Sequence, residues 1–109
     1  MKSFQKTIVE ILDPIKPSNI LDLPCGNGWL AESLKFNFQI DGIDLYDSKP
    51  DKYRHFQHFD LDKGLPENLL SYDAIVSCEG IEHLGNPLLF LEDIHNHLNK
   101  KGILIIIKM

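Results

Sequence analysis

A pair of glycines, with an acidic residue just before them, forms the first group of residues in this sequence that could bind a ligand. Gly26 and Gly28 are separated by one residue, and Asp22 precedes them inside an apolar run. Glycine lets the backbone take positive φ angles and approach a ligand closely. A helix that starts after such a turn offers free N–H groups and a partial positive charge. This pattern is typical of a nucleotide-binding corner.

The elements that must position this corner follow from the apolar spacing around it. Ile20 to Leu23 predicts a short buried strand, which breaks at the turn 24–28. Leu30 and Leu34 then recur at helical spacing and predict a helix over about 28–36. The corner is therefore a strand, a tight turn and a helix start.

Two classes of ligand fit the glycines themselves. Gly26-x-Gly28-x-x-Ala31 matches the fingerprint of dinucleotide-binding proteins, which predicts a nicotinamide-dependent oxidoreductase as one alternative. Asp22 favours the other class, because a carboxylate just before the turn opposes a pyrophosphate. It suits a ligand that carries an ammonium and a sulfonium.

The run Ile20-Leu21-Asp22-Leu23-Pro24-Cys25-Gly26-Asn27-Gly28 resembles the first motif of class I S-adenosylmethionine-dependent methyltransferases. That motif reads hydrophobic-Leu-Asp-x-Gly-Cys-Gly-x-Gly, and Pro24 stands where the family often has its first glycine. Proline fixes φ but still permits a turn. The resemblance implies S-adenosylmethionine as cofactor, and it assigns six residues of the motif to its binding: Asp22, Pro24, Cys25, Gly26, Asn27 and Gly28.

A second acidic residue closes the strand predicted for Gln39 to Asp44. Asp44 lies 44 − 28 = 16 residues past Gly28, close to the spacing of about 20 at which a carboxylate accepts hydrogen bonds from ribose hydroxyls. We assign Asp44 to the ribose and Leu45 beside it to the same cofactor site. The alternative is a solvated turn aspartate, because Asp41 and Asp47 flank it.

Aromatic and polar residues alternate from Tyr53 to Phe59, which predicts a third, edge-type strand. Asp60 and Leu61 follow it. In proteins of the resembled family an aspartate here often takes the adenine amino group. The resemblance therefore assigns Asp60 to that role and Leu61 to the apolar wall, with a plain acidic turn as the alternative.

The fourth predicted strand, Tyr72 to Cys78, has a continuous apolar middle that indicates burial on both faces. Glu79-x-x-Glu82-His83 follows it and resembles metal-dependent ubiquinone-biosynthesis O-methyltransferases and small-RNA 3′-end methyltransferases, in which it helps to hold a metal. A similar Glu-His-Leu spelling is widespread in the broader family without metal, so we assign no metal ligands here and keep metal binding by Glu79, Glu82 and His83 as the alternative. Cys78 and Glu79 are assigned to the cofactor site and His83 to general-base catalysis.

The whole chain alternates helices and strands, with a first helix over Ser3 to Asp13, a later one from Pro87 to Leu98, and a fifth strand from Ile103 to Lys108. This predicts one domain over 1–109 with an α/β, doubly wound, mostly parallel Rossmann-like sheet of about five strands and flanking helices. The proposed ligand residues all follow strands. They are therefore expected to meet at the carboxyl edge of the sheet.

The resembled family usually continues past the fifth strand with a helix and an antiparallel strand pair. The resemblance therefore implies a domain truncated after the fifth strand, without its C-terminal part. An isoleucine-rich strand at the edge of a sheet is a template for pairing with another chain. A homodimer through the fifth strand is one expectation that follows.

Composition narrows the possible partners. The 109 residues carry a net charge of −5 and give a pI of about 5.4, whereas nucleic-acid binders usually carry a basic patch. No apolar run approaches the roughly 20 residues of a membrane span. Cys25 and Cys78 are far apart in sequence, which favours a reduced, cytoplasmic protein. The expected partner is a small molecule, with no nucleic acid and no membrane.

Together these features predict an S-adenosylmethionine-dependent methyltransferase. Its acceptor is predicted to be a small molecule or glycan precursor that is methylated on oxygen. Methyl transfer is an in-line displacement, for which the protein mainly supplies orientation and desolvation. The alternatives are the nicotinamide-dependent oxidoreductase and a non-catalytic cofactor-binding module.

Overall fold

The computed structural model describes residues 1–47 and 49–108, and alternating helices and strands follow one another along them. In chain order the elements are α1 (Ser3–Ile15), β1 (Asn19–Asp22), α2 (Trp29–Ser33), β2 (Gln39–Asp44), β3 (His55–His58), β4 (Tyr72–Cys78), α3 (Pro87–His97) and β5 (Leu98–Ile107). Short 3-10 turns at Leu61–Lys63 and Ile81–His83 follow β3 and β4. Over this described part of the chain, no helix is long and apolar enough to cross a membrane.

The five strands form one sheet in the order β3-β2-β1-β4-β5, and every strand pair in it is parallel. Ile20 of β1 pairs with Ile40 on one side and with Ala74 on the other. The direction of chain progression reverses between β1 and β4, and parallel sheets bind ligands in the crevice at such a point. The predicted α/β, Rossmann-like fold is confirmed.

The sheet is buried on both faces. One face, with Ile20 and Val76, packs against α1 and α2. The other face, with Leu21 and Ile75, packs against Phe90 and other apolar residues of the α3 side. Burial of β4 from both sides explains why its sequence reads as a continuous apolar run.

The helices end at residues other than those predicted, and for α3 the difference is a single residue, His97 instead of Leu98. Helix α1 continues past Asp13, contains Pro14 in its last turn, and ends where Lys16 adopts a left-handed φ of 55°. Helix α2 stops at Ser33, whose hydroxyl donates to the carbonyl of Trp29 at 2.7 Å. Such bonds from serine to the backbone compete with the helical pattern.

Strand β5 begins earlier than predicted. Leu98 already pairs with Tyr72, and the next pair is Ala74 with Ile103, so the intervening residues bulge out of the ladder. The predicted turn over 99–102 is therefore a bulge within the strand. At the other edge of the sheet, β3 is shorter than predicted, because Tyr53 turns inward before the strand begins.

Candidate cofactor site

The glycine turn between β1 and α2 is held by backbone bonds to its neighbours. The N–H of Cys25 donates to the carbonyl of Ile43 at 3.0 Å, and the N–H of Gly28 donates to the carbonyl of Cys25 at 3.0 Å. Gly26 and Gly28 have φ angles of 54° and 84°, which favour glycine. The amide oxygen of Asn27 accepts the N–H of Trp29 at 3.1 Å, a local bond between the turn and the first residue of α2.

Asp44 joins this turn to the loop that follows β2. Its Oδ2 accepts the N–H of Gly26 at 2.8 Å, and its Oδ1 accepts the N–H of Tyr46 at 3.0 Å. The side chain is largely buried, with 6% of its surface exposed. A carboxylate with one oxygen on each loop fixes the distance between the two loops.

A cavity of about 570 Å³ opens at this edge of the sheet. Seven of its lining residues were predicted to bind cofactor, and they come from the glycine turn, the end of β2 and the end of β4: Pro24, Cys25, Gly26, Asn27, Asp44, Cys78 and Glu79. The three segments are far apart in sequence. The parallel strand order is what brings them together.

Five further residues line this cavity, and sequence reasoning did not assign them to the site: Lys2, Phe4, Gln5, Trp29 and Tyr46. Phe4 and Trp29 meet edge to face, with ring centroids 6.4 Å apart. Trp29, which core packing alone would explain, thus forms part of the cavity wall as well. In the sequence, Phe4 stands out only by its place on the apolar face of α1. That periodicity cannot distinguish a residue of the core from a residue that lines a cavity.

Asp22 is buried beside the cavity. Only 1% of its surface is exposed, and its Oδ2 accepts the hydroxyl of Tyr53 at 2.5 Å. Burial raises the pKa of the Asp22 carboxyl to about 7, the hydrogen bond from Tyr53 opposes this rise, and the charge of Asp44 adds to it. Burial and then the charge of Asp22 raise the pKa of the Cys25 and Cys78 thiols to about 12.

A second cavity, of about 610 Å³, lies against β2 and β3, and polar residues in its wall form hydrogen bonds with one another. Arg54 donates from Nε and Nη2 to the two carboxylate oxygens of Asp41 at 3.0 and 2.9 Å, and the Tyr72 hydroxyl donates to Asp41 Oδ2 at 2.7 Å. Burial would raise the pKa of Asp41, but the bonds from Arg54 and Tyr72 hold it below its usual value. Because these groups satisfy one another, the cavity beside the glycine turn is the candidate site.

A family model described as a methyltransferase domain matches residues 2–108 of this chain. The chain belongs to the methyltransferase-domain family. This confirms the family predicted from the glycine motif and decides against the nicotinamide alternative. The family uses S-adenosylmethionine as methyl donor, so the predicted cofactor class is confirmed as well.

The methyltransferase domain is also similar to curated proteins. It is 32% identical over 111 residues to the mitochondrial ubiquinone biosynthesis O-methyltransferase of Rattus norvegicus. The matched region covers 86% of this chain and 32% of that protein. The Mus musculus protein of the same name is 27% identical over 107 residues, covering 85% of this chain and 29% of that protein. The chain spans about a third of the length of these relatives.

Solved structures show the same fold. The plantazolicin methyltransferase BpumL in complex with SAH is 23% identical with a TM-score of 0.74, covering 95% of this chain and 44% of that one. SAM-bound CalS10, an amino pentose methyltransferase from Micromonospora echinaspora, is 19% identical with a TM-score of 0.77, covering 99% of this chain and 52% of that one. At these identities the likeness concerns the fold alone.

The loop after β4 of the methyltransferase domain does not form a metal site as it is placed. Glu79 has a left-handed φ of 56° and donates its N–H to the carbonyl of Ile107 at 2.8 Å. His83 is exposed at the end of the 3-10 turn Ile81–His83. Among the described residues, no group of three or more His, Cys, Asp or Glu side chains could hold a metal ion.

The remaining predicted residues lie outside the cavity wall, as far as the described residues define that wall: Asp22, Gly28, Leu45, Asp60, Leu61 and His83. Leu45 is 52% exposed, and it is Tyr46, one residue later, that contributes to the wall. Asp60 caps the short turn that begins at Leu61, with its Oδ1 accepting the N–H of Asp62 at 3.0 Å.

Proposed function

We propose that this chain is the cofactor-binding core of an S-adenosylmethionine-dependent methyltransferase and that the cavity beside the glycine turn holds the cofactor. The observation that carries this proposal is that seven residues from three separate segments line one cavity. Its volume of about 570 Å³ is within the usual range for small-molecule sites, about 300–1,000 Å³. The family membership supports the cofactor class.

Complementary charges suggest how the cofactor is oriented. Asp44 is proposed to accept hydrogen bonds from the ribose through the lone pairs that the two loop N–H groups leave available. Lys2 is the lysine in the described cavity wall, and it suits the carboxylate of the amino-acid end. The negative charges of Asp22 and Glu79 suit the ammonium and sulfonium. Trp29 and Tyr46 supply apolar surface.

The chemistry is transfer of a methyl group to an acceptor oxygen. S-adenosylmethionine supplies an activated methyl group on a sulfonium, so orientation and exclusion of water are the main tasks of the chain. His83 is proposed as the general base that takes the acceptor proton. Its exposed position after β4 leaves the imidazole accessible to an incoming acceptor. The names of the curated relatives support an oxygen acceptor.

The acceptor class, a small molecule or glycan precursor, is part of the same proposal. A cytoplasmic location is also part of it, because both cysteines are free, which suits a reducing compartment.

The proposal also includes a homodimer along β5. Strand β5 lies at the edge of the described sheet, and Leu104 in it is 37% exposed. The mass of the purified chain in solution, measured by light scattering, tests the dimer directly.

Calorimetric titration with S-adenosylhomocysteine, with NAD as the parallel control, tests the proposed function. We expect S-adenosylhomocysteine to bind and NAD not to bind. Added magnesium should leave the titration unchanged. Binding of NAD alone, or of neither ligand, would contradict the proposal. A chain that binds the cofactor but transfers no methyl group to any oxygen acceptor would be the non-catalytic module instead.

A further inference from the structure

Tyr53 reaches across β2 to the end of β1. It lies in the segment that precedes β3, yet its hydroxyl bonds to Asp22 of β1 at 2.5 Å. Both side chains are buried, with 7% and 1% of their surfaces exposed. The bond therefore ties the connection between β2 and β3 to the first carboxylate of the glycine motif.

Two glycines make room for this aromatic ring. Gly42 pairs with Asp22 in the sheet, and a Cβ at Gly42 would lie 2.7 Å from Cδ2 of Tyr53. A Cβ at Gly28 would lie 3.3 Å from Cε1 of Tyr53 and 2.6 Å from Cβ of Pro50. Tyr53 thus passes over β2 at a residue without a side chain and contacts the far end of the glycine turn. It touches the motif both before and after the turn.

We propose that Tyr53 is a positioning residue of the cofactor site, which orients the Asp22 carboxylate and holds the glycine turn in place relative to it. The inference rests on the proposed function, because Asp22 matters here as a buried charge beside the cavity that is proposed to favour the cationic part of the cofactor. Tyr53 acts through Asp22 and does not belong to the cavity wall as the described residues define it.

The ionisation of Asp22 makes this role measurable. The titratable groups that interact with Asp22 are Asp44 on β2 and the thiols of Cys25 in the turn and Cys78 on β4. The cavity wall also carries the charged residues Lys2 and Glu79. Burial raises the pKa of Asp22 to about 7, and the hydrogen bond from Tyr53 lowers it. Removing that hydroxyl must therefore raise the pKa further and keep Asp22 protonated to higher pH.

The test is calorimetric affinity for S-adenosylmethionine and S-adenosylhomocysteine from pH 6 to 9 in wild type, Tyr53→Phe and Tyr72→Phe. Tyr72→Phe is a matched control, because it removes another buried tyrosine-to-aspartate bond, at 2.7 Å, away from the candidate site. Comparing proteins at one pH cancels the titration of the ligand's own amino group.

We expect wild-type affinity for S-adenosylmethionine to rise through about pH 7 as Asp22 ionises. In Tyr53→Phe this rise should move to higher pH, so that affinity at pH 7.5 falls on the order of 10-fold. The Tyr72→Phe profile should follow wild type. In an Asp22→Asn background the rise in affinity near pH 7 should be absent. Adding Tyr53→Phe to that background should change the affinity little.

Two results would overturn the inference alone. One is a Tyr53→Phe profile that matches wild type while the ligands still bind. The other is an equal loss from Tyr53→Phe with and without Asp22→Asn, which would make the tyrosine merely structural. Failure of wild type to bind either ligand would overturn the proposed function together with the inference.

A second replacement keeps the test decisive if Tyr53→Phe does not fold. Replacing Tyr53 with 3-fluorotyrosine retains the ring and gives a more acidic hydroxyl, which is a stronger donor to Asp22. The rise in affinity should then move to lower pH, the opposite direction. A rise that stays where it is in wild type would contradict the role of Tyr53.

Discussion

Asp44 and Gly26 are joined by a hydrogen bond of 2.8 Å between a carboxylate oxygen of one and the backbone N–H of the other. The second oxygen of Asp44 accepts the N–H of Tyr46 at 3.0 Å. The residue proposed for the ribose therefore also shapes the site by holding the glycine turn against the β2 loop. The Asp44 side chain thus has two roles, the proposed contact with the ribose and the hydrogen bonds that hold the two loops together.

Asp44→Ala is expected to weaken binding of S-adenosylhomocysteine on the order of 10- to 100-fold, because hydrogen bonds to a charged group contribute about 1.5–3 kcal/mol. Asp47→Ala is the matched control, since it removes an exposed carboxylate from the same loop. Calorimetry on both variants gives the comparison. An equal loss in the two variants would point to net charge, and no loss in Asp44→Ala would remove it from the site.

The two glycines of the turn should differ in their tolerance of alanine. Gly26 has a φ of 54°, and a Cβ at this position would meet no residue other than its chain neighbours within 4 Å, so Gly26→Ala should cost about 1–2 kcal/mol of stability for the left-handed backbone. Gly28→Ala adds a contact of 2.6 Å with the ring of Pro50 and should cost more. Urea unfolding of both variants provides the free energies. Equal losses would mean that Pro50 can move away freely.

Asp22→Asn should change how stability depends on pH. The pKa of Asp22 is raised from 3.8 to about 7 in the folded chain. The folded state therefore holds this proton more tightly, and the contribution of Asp22 to stability is present below about pH 4 and lost as the pH rises to about 7. Each pKa unit corresponds to about 1.4 kcal/mol.

The free energy of unfolding of Asp22→Asn, relative to wild type, should accordingly increase between pH 4 and 7 and stay constant above that range. Asp51→Asn, which changes an exposed carboxylate, should show no such increase. Denaturant titrations at several pH values measure both differences. A difference for Asp22→Asn that does not depend on pH would contradict the raised pKa.

Both thiols should react slowly in the folded chain. Burial raises the pKa of Cys25 and Cys78 to about 12, so almost no thiolate forms at pH 8. Alkylation by iodoacetamide should be on the order of 1,000-fold slower than for a free thiol, since the thiolate is the reactive form. Mass spectrometry over time measures the rates, and the urea-unfolded chain serves as the control. Rapid labelling of either native thiol would refute the prediction.

Local sequence patterns were sufficient for the fold class and for the glycine turn. Strands β2 and β4 were predicted with the observed bounds, because β2 ends at an acidic residue and β4 is a single apolar run. Periodicity and turn residues act over a few positions, and sequence reports them directly. Boundaries set by longer-range contacts were missed, as at β5, where pairing with Tyr72 extends the strand back to Leu98.

What the sequence by itself determined is which segments end at the ligand edge of the sheet, because parallel strands carry their following loops to one side. The tertiary structure decided which side chains in those loops meet. It put Tyr46 rather than Leu45 in the cavity wall, brought Lys2 there from before α1, and packed Tyr53 on Gly42 to reach Asp22. These contacts join residues distant in the chain, and only the packing of whole elements brings them together.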